Sequence, residues 1–231
     1  WNALVTVAVI AIFSGFGRSI PWLDFPSWMA PLFGLVYMSL VVWIIPMFKG
    51  RRNGSVFVSE YYLIGAALWF PWVFATTNFL IGQKAAPVMA AGAGSWFVSN
   101  IIYFWMAPVA LAVAYYIVPK IAGRPIYSYG IAKLGFWILA LFAGWTGFHR
   151  YYGGPFPAWL PAVSGAAVIF VLLAVVATFT NLWMTLKGKT KLWEYSPSLR
   201  FTAMGMFFFV IYCVLSAYSI APGVQPVLQF S

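Results

Sequence analysis

The stretch AWLPAVSGAAVIFVLLAVVATFTNLWMTL, residues 158–186, contains no charged side chain. An α-helix needs about 20 predominantly apolar residues to cross the hydrocarbon core of a bilayer, and this stretch exceeds that length. Its apolar residues run continuously and do not alternate with polar ones, which favours a helix over a strand of a membrane barrel. The stretch therefore predicts a transmembrane α-helix.

Composition indicates that the rest of the chain lies in the membrane as well. The 231 residues are 64% hydrophobic and 7% charged, whereas soluble domains carry about 25% charged residues. Too few polar side chains remain to cover a water-soluble fold, and in lipid only helices or closed barrels satisfy the backbone. We predict an all-α, polytopic transmembrane helix bundle that forms a single membrane domain over 1–231. Its seven predicted spans are 1–17, 29–48, 56–81, 94–119, 131–149, 158–186 and 199–221.

The net charge of +10 follows an alternating pattern along the chain. Ten basic residues fall at one end of the predicted bundle and three at the other. An excess of Lys and Arg marks the cytoplasmic side of a membrane protein, so we predict a cytoplasmic N-terminal end and a C-terminal end outside. This pattern explains the charge better than nucleic-acid binding does. The ten residues are Lys49, Arg51, Arg52, Lys120, Arg124, Lys133, Lys187, Lys189, Lys191 and Arg200, and the three are Arg18, Lys84 and Arg150.

His149 is the only histidine in the chain. Neutral imidazole binds metals and heme, but a stable metal site needs about three or four protein ligands. The residue pattern therefore favours an interfacial histidine beside Arg150, hydrogen-bonded to a loop carbonyl, over a ligand. Cys213, the other soft donor, lies in the last span and is interpreted as a small buried apolar residue.

Two pairs of polar residues are predicted to share a depth in the membrane. Ser99 and Asn100 lie near the outer end of the fourth span, and His149 and Arg150 lie at the outer end of the fifth. If these two spans are neighbours, the four side chains can form one polar pocket near the outer face.

The three acidic residues are Asp24, Glu60 and Glu194. Asp24 and Glu194 fall in loops and are expected to be solvated. Glu60, near the inner end of the third span, has two interpretations: it lines a proton path, or it lies at the headgroup boundary near Arg51 and Arg52. The second is favoured.

The sequence YYIVPKIAGRPIYSY, residues 115–129, resembles the junction between helices six and seven of subunit I in the heme-copper oxidase superfamily, in its C-family (cbb-type) branch. The likeness continues in the same order through FW (136–137), WTGFH (145–149), PAW (157–159) and NLWMTLKG (181–188). Because the order and spacing hold across several predicted spans, the resemblance is specific for this family.

The resemblance implies which part of the family's fold this chain represents. The family's core has about twelve helices, and this chain corresponds to helices three to nine, with residues 55–221 matched directly and the first two spans by position. Helices one and two are expected before Trp1 and helices ten to twelve after Ser231. The family's heme-ligand histidines fall in those regions, so heme is possible only through them, and no cofactor is assigned to this chain alone.

The resemblance also implies where the family's copper ligands would lie. A histidine followed by asparagine in helix six corresponds to Ser99 and Asn100, and two adjacent histidines in helix seven correspond to His149 and Arg150. Serine is a poor copper ligand, and arginine stays protonated and cannot be one. One ligand of three remains, so copper is not expected. Nitric oxide reductases of the same superfamily need the same three histidines and are excluded by the same argument.

Two further functional positions of the family are changed. Its active-site tyrosine corresponds to Ala143, and a glutamate of helix nine corresponds to Tyr218. No residue is assigned a catalytic or metal-binding role. The candidate relic pocket consists of Ser99, Asn100, Ala143, His149, Arg150 and Tyr218.

The resemblance and the missing ligands together predict a cytochrome c oxidase subunit I-like membrane subunit of a bacterial respiratory complex, with a structural or accessory role. The expected partners are membrane lipid and other subunits of that complex, with cytochrome c-type subunits among the candidates, and the expected location is the bacterial inner membrane. Two alternatives remain open. One is an active oxidase that oxidises cytochrome c and reduces oxygen, and the other is a transporter whose helices are broken at Pro71, Pro108 and Pro161.

Overall fold

Helices make up almost all of the chain that the computed structural model describes. The described residues are 1–50, 54, 56–82, 86–189, 191–221 and 223–224, and no strand occurs among them. Three charges used to predict the orientation, Arg51, Arg52 and Lys84, lie outside the described residues. The α-helices are α1 (Asn2–Ala11), α2 (Ala30–Lys49), α3 (Val58–Gly82), α4 (Pro87–Ile101), α5 (Ala107–Ala122), α6 (Tyr129–Phe142), α7 (Trp159–Leu186), α8 (Leu192–Tyr195) and α9 (Pro197–Tyr218).

Within the described residues, six helical segments are long and apolar enough to cross a membrane. They confirm the all-α, multi-pass bundle and six of its seven predicted spans. The stretch predicted as the first span forms a shorter apolar helix, Asn2–Phe16, which ends in a π turn where Gly15 adopts a φ of +85°. The six segments are Ser27–Lys49, Val58–Gly82, Pro87–Ala122, Tyr129–Tyr151, Trp159–Leu186 and Pro197–Tyr218.

The predicted span over 94–119 is longer than expected. It begins at Pro87 and runs for 36 residues to Ala122, because a π turn over Ile102–Met106 joins α4 to α5 without a break. Pro108 lies in the first turn of α5, directly after the π turn, and the helix continues through it to Ala122. This proline therefore does not end the helix.

The predicted span over 131–149 is present as Tyr129–Tyr151, but its C-terminal end is not regular α-helix. Helix α6 ends at Phe142, and the chain continues through two short 3-10 turns, Ala143–Trp145 and Phe148–Tyr151. Between them, Gly147 adopts a φ of +110°, a conformation that glycine accepts far more readily than other residues. The residues that follow α6 thus form a folded loop, which we call the 143–151 loop.

Helix α7 packs against α5, α6, α9 and the 143–151 loop. One face of its middle part is covered by these neighbours, and Val171 and Ala174 are fully buried there. Helices α6 and α7 approach so closely that a Cβ atom on Gly135 would lie 3.0 Å from Thr178 Oγ1. Small residues at such contacts let membrane helices pack tightly.

A hydrogen-bond network fixes the α5–α6 connection to the C-terminal end of α7. Arg124 donates from Nε to the Thr185 carbonyl and from Nη2 to the Lys187 carbonyl (2.7 Å). The Asn181 side chain pairs with the backbone of Ser128, accepting its N–H at 2.9 Å and donating to its carbonyl at 2.8 Å. We call these residues the Arg124 clamp. It satisfies carbonyls that a helix leaves unpaired at its C-terminal end.

The α1–α2 connection is held against α3 by Arg18 at the opposite end of the bundle. Its Nε donates to the Phe25 carbonyl (2.9 Å) and its Nη2 to Asn78 Oδ1 (3.1 Å). Burial lowers the pKa of Arg18, and the nearby Asp24 carboxylate acts in the opposite direction. Asp24 itself is exposed, as expected.

Glu60 lies in the first turn of α3 and is half-buried. Its Oε2 accepts the backbone N–H of Phe57 at 3.3 Å, and a carboxylate at this end of a helix also interacts favourably with the helix dipole. This position at the helix end fits the headgroup-boundary interpretation, although its predicted neighbours Arg51 and Arg52 lie outside the described residues.

Candidate functional site

Helix α4 lies directly against the 143–151 loop. Ser95 Oγ donates to the Gly147 carbonyl at 2.8 Å, and Trp96 Nε1 donates to the Gly144 carbonyl at 2.7 Å. The loop carbonyls are therefore satisfied by side chains of α4. This contact brings together the two spans that the sequence placed at a common depth.

Gly147 allows this close approach of the two backbones. A Cβ atom at this position would lie 2.8 Å from Trp96 Cα and 3.0 Å from the Ser95 carbonyl oxygen. Both neighbours are backbone atoms, which cannot move aside as the end of a flexible side chain can. The site thus depends on a glycine here for two reasons, its φ angle and its lack of a side chain.

His149 lies in the interior of the bundle and is only 3% exposed. Its backbone N–H donates to Ser164 Oγ at 3.0 Å, and its Nδ1 lies 3.4 Å from the same hydroxyl. The backbone N–H of Gly147 also points to Nδ1, at 3.4 Å. His149 is therefore buried in the bundle and not interfacial as predicted, and a serine of α7 lies beside both its backbone N–H and its ring.

Ser99 and Asn100 are both buried in α4. Asn100 Nδ2 donates to the Trp96 carbonyl at 2.8 Å and reaches the Thr146 carbonyl at 3.5 Å. Its Oδ1 has no hydrogen-bond partner among the described residues. A buried hydrogen-bond acceptor without a partner costs about 1–3 kcal/mol of stability. The contact between α4 and the 143–151 loop thus contains a polar group that helix packing alone does not need.

A cavity of about 860 Å³ opens beside this contact. The exposed side chain of Arg150 lines it, and we call it the Arg150 cavity. Among its described lining residues there is no carboxylate, so the cavity offers one cation and several hydroxyl groups but no acid–base pair. Its polar lining comes from Ser19, Ser95, His149, Arg150, Tyr151, Tyr212, Ser216 and Ser219.

The structure separates the remaining relic positions from this cavity. Ala143 is fully buried at the end of α6, whereas Tyr218 is 59% exposed near the end of α9. The side chains by which α9 does line the cavity, Tyr212, Ser216 and Ser219, were not predicted as site residues. Their spacing of four and then three residues places them on one helix face, which is the signal that could have identified them.

Copper does not fit the donors at the three implied ligand positions. The Ser99 hydroxyl is a poor ligand for copper, and the guanidinium of Arg150 is a permanent cation with no lone pair to offer. No group of three or more His, Cys, Asp or Glu side chains that could hold a metal occurs in the part of the chain that the structure describes.

Comparison with known proteins gives a family match over the whole chain. The sequence model described as "Cytochrome C and Quinol oxidase polypeptide I" matches residues 1–231. Similar proteins include the "Cbb3-type cytochrome c oxidase subunit CcoN1" of Stutzerimonas stutzeri, which is 24% identical over 90% of this chain and 46% of its own length.

Two further relatives extend this comparison. The "Cytochrome c oxidase subunit 1 homolog, bacteroid" of Bradyrhizobium diazoefficiens is 26% identical over 90% of this chain and 40% of its own length. "Cytochrome c oxidase subunit 1" of Thermus thermophilus is 28% identical over 67% of this chain and 25% of its own length. The chain thus spans less than half the length of these relatives.

Proposed function

Because this chain belongs to the cytochrome c and quinol oxidase polypeptide I family, we propose that it is a respiratory membrane subunit that does not reduce dioxygen at a copper site of its own. It is a multi-pass membrane protein similar to bacterial oxidase subunits. The proposed role is structural or accessory within an electron-transport complex.

The observation that carries this proposal is the donor set at residues 99, 149 and 150. The three positions that the family resemblance assigns to copper hold serine, histidine and arginine. Arg150 places a positive charge where a metal cation would have to bind, and His149 is held by Ser164. The contacts that support the surrounding fold, from Ser95 and Trp96 to the loop carbonyls, are nevertheless made.

This combination supports a subunit whose packing is kept while its metal chemistry is lost. Its partners under this proposal are the other subunits of a bacterial respiratory complex, with cytochrome c-type subunits among the candidates. The proposal puts the end of the bundle with the excess of basic residues in the cytoplasm, together with the N-terminal end of the chain, and the charge asymmetry supports this orientation.

The metal content of the native complex tests the proposal. We expect copper well below one atom per complex and no carbon monoxide-reactive high-spin heme assigned to this subunit, measured by elemental analysis and by carbon monoxide difference spectra. A cbb3-type oxidase purified in parallel is the positive control. Copper near one per complex together with a carbon monoxide-reactive heme would instead establish the alternative, an active terminal oxidase, which the names of the relatives favour.

Restoring the missing imidazoles provides a second test. In the double variant Ser99→His/Arg150→His we expect no dioxygen consumption above background, because Ala143 supplies no phenol and Ser99 is only 2% exposed. Inserting a larger side chain into such a packed position costs about 1–3 kcal/mol. The variant Arg150→Gln controls for loss of the charge alone. Oxygen reduction by the double variant, with bound copper, would show that the rest of an oxidase site is intact.

A further inference from the structure

A second cavity lies at the end of the bundle opposite the Arg150 cavity. It is an apolar groove of about 370 Å³ between α7 and α9. On α7, its lining runs from Phe179 to Leu186, which corresponds to about 10 Å along the helix axis. We call it the α7–α9 groove, and the residues of its walls used below are Phe179, Trp183, Leu186, Trp193, Arg200 and Ala203.

One end of the groove carries positive charge. Arg200, in the first turns of α9, lines the groove and is exposed. Among the described residues, its guanidinium has no hydrogen-bond or ion-pair partner. The sequence from 187 to 200 contains three lysines besides this arginine and one acid, Glu194, so the mouth of the groove lies in a basic segment.

Tryptophan side chains flank the same end. Trp193, on the short helix α8, lines the groove near its mouth, and Trp183 is exposed on α7. Tryptophan is enriched where membrane proteins cross the boundary between headgroups and hydrocarbon. The mouth therefore lies at headgroup depth, and the opposite end, near Phe179, points toward the middle of the membrane.

We propose that the α7–α9 groove binds one acyl chain of an anionic glycerophospholipid whose phosphate pairs with Arg200. A phosphate suits the unpaired guanidinium, which forms two parallel hydrogen bonds with such oxyanions. Basic pockets between membrane helices on the cytoplasmic side bind anionic headgroups in this way. The groove covers only about a third of the ~30 Å hydrocarbon thickness, which is short for a partner helix but suits part of a lipid chain.

Native mass spectrometry of the full chain in detergent tests this proposal. Phosphatidylglycerol and phosphatidylcholine with identical acyl chains are titrated in parallel. We expect phosphatidylglycerol to bind about fivefold more tightly, the factor that corresponds to one basic residue near an anionic headgroup. Equal binding of the two lipids would overturn the proposal.

Two pairs of variants separate the headgroup contact from the groove. Arg200→Gln is expected to abolish the preference for phosphatidylglycerol, whereas Lys133→Gln, which removes an exposed cation at the same end of the bundle, is expected to retain it. Ala203→Phe fills the groove and is expected to weaken the binding of both lipids. Val214→Phe, at an exposed position of the same helix, is expected to leave their binding unchanged.

Two results would contradict this assignment. If Lys133→Gln reduces the preference as much as Arg200→Gln does, the selectivity comes from the general charge of this end and not from the groove. If the chain forms dimers that Ala203→Phe dissociates while lipid binding is unchanged, a second copy of the chain occupies the groove in place of lipid. Because Arg200 is exposed, its variant is expected to fold, and melting temperatures in detergent verify this.

Discussion

At the scale of single residues, the contact between α4 and the 143–151 loop depends on Gly147. Its φ of +110° and the closeness of Trp96 Cα to where its Cβ would lie both exclude a side chain. The hydrogen bonds from Ser95 and Trp96 to the loop carbonyls form only at this separation. This single position thus determines where His149 and Arg150 lie relative to α4.

The variant Gly147→Ala is expected to destabilise the protein by about 3 kcal/mol or more, because backbone strain of about 1–3 kcal/mol adds to a clash between backbones. Unfolding in detergent, followed by temperature or denaturant, measures the change. Gly205→Ala is the control, since its Cβ meets no atom within 4 Å and alanine is the better helix former. Similar stability of the two variants would show that the loop can move away from α4.

The sequence predicts part of this site and misses the rest for a physical reason. A single histidine in 231 residues is enough to argue against a metal cage of imidazoles, without any coordinates. The partner of His149, Ser164, lies on another span, and only the packing of α7 against the loop brings the two together. Local spacing carries no information about such a contact, so the sequence could not predict that Ser164 lies beside His149.

At the scale of helices and their connections, the Arg124 clamp joins the two distant segments that carry the family resemblance. Arg124 and Ser128 lie in the first of these segments, and Asn181 and Thr185 lie in the second. In the structure they form one network at the C-terminal end of α7. The resemblance therefore includes residues that join α5, α6 and α7.

The variant Arg124→Gln is expected to lower the free energy of unfolding by about 1–3 kcal/mol, because hydrogen bonds from a charged donor to the carbonyls of α7 are lost. The free energy of unfolding of Arg124→Lys is expected to lie between that of Arg124→Gln and that of the unchanged protein. The lysine ammonium keeps the charge but lacks the planar guanidinium that reaches several carbonyls. Limited proteolysis at the α5–α6 connection, together with unfolding, reports the change. Unaltered stability and cleavage in Arg124→Gln would mean that the loop is held by packing alone.

The existence of the helices could be predicted far better than their ends. Apolar length identifies a span because lipid requires it, and six predicted spans are present in the described chain. The end of α6 at Phe142 could not be predicted in this way, because no charged residue follows α6 before Arg150 and the path of the 143–151 loop is set by Gly147. The start of α4 at Pro87 could not be predicted either, because the glycine and alanine residues there do not distinguish a helix from a loop.

At the scale of the whole molecule, charge is distributed unevenly between the two ends of the bundle. Lys49 ends α2, Lys120 lies in the last turn of α5, and Arg200 lies in the first turns of α9, so these cations share one end. Arg18 and Arg150 lie at the other. Because successive helices run in opposite directions, basic residues in alternate loops collect at one end of the bundle. This asymmetry is the basis of the proposed orientation.

Cysteine labelling tests this orientation. In a background with Cys213→Ala, which removes the buried thiol, the variant Tyr152→Cys is expected to react with a membrane-impermeant maleimide in intact spheroplasts. Lys187→Cys, at the opposite end, is expected to react only after permeabilisation. Both positions are exposed, so the reverse pattern of labelling would place the N-terminal end outside the cytoplasm.

The π turn over Ile102–Met106 gives the long helix from Pro87 to Ala122 two rotational phases. A π turn widens one turn of the helix. The side chains beyond it are therefore rotated about the helix axis relative to the positions that a regular α-helix would give them. Before the turn, α4 packs against α3 and the 143–151 loop, and beyond it α5 packs against α3, α7 and α9. A regular α-helix could not give both halves their present contacts at once. Removing one residue from this turn would therefore rotate one half away from the helices against which it packs.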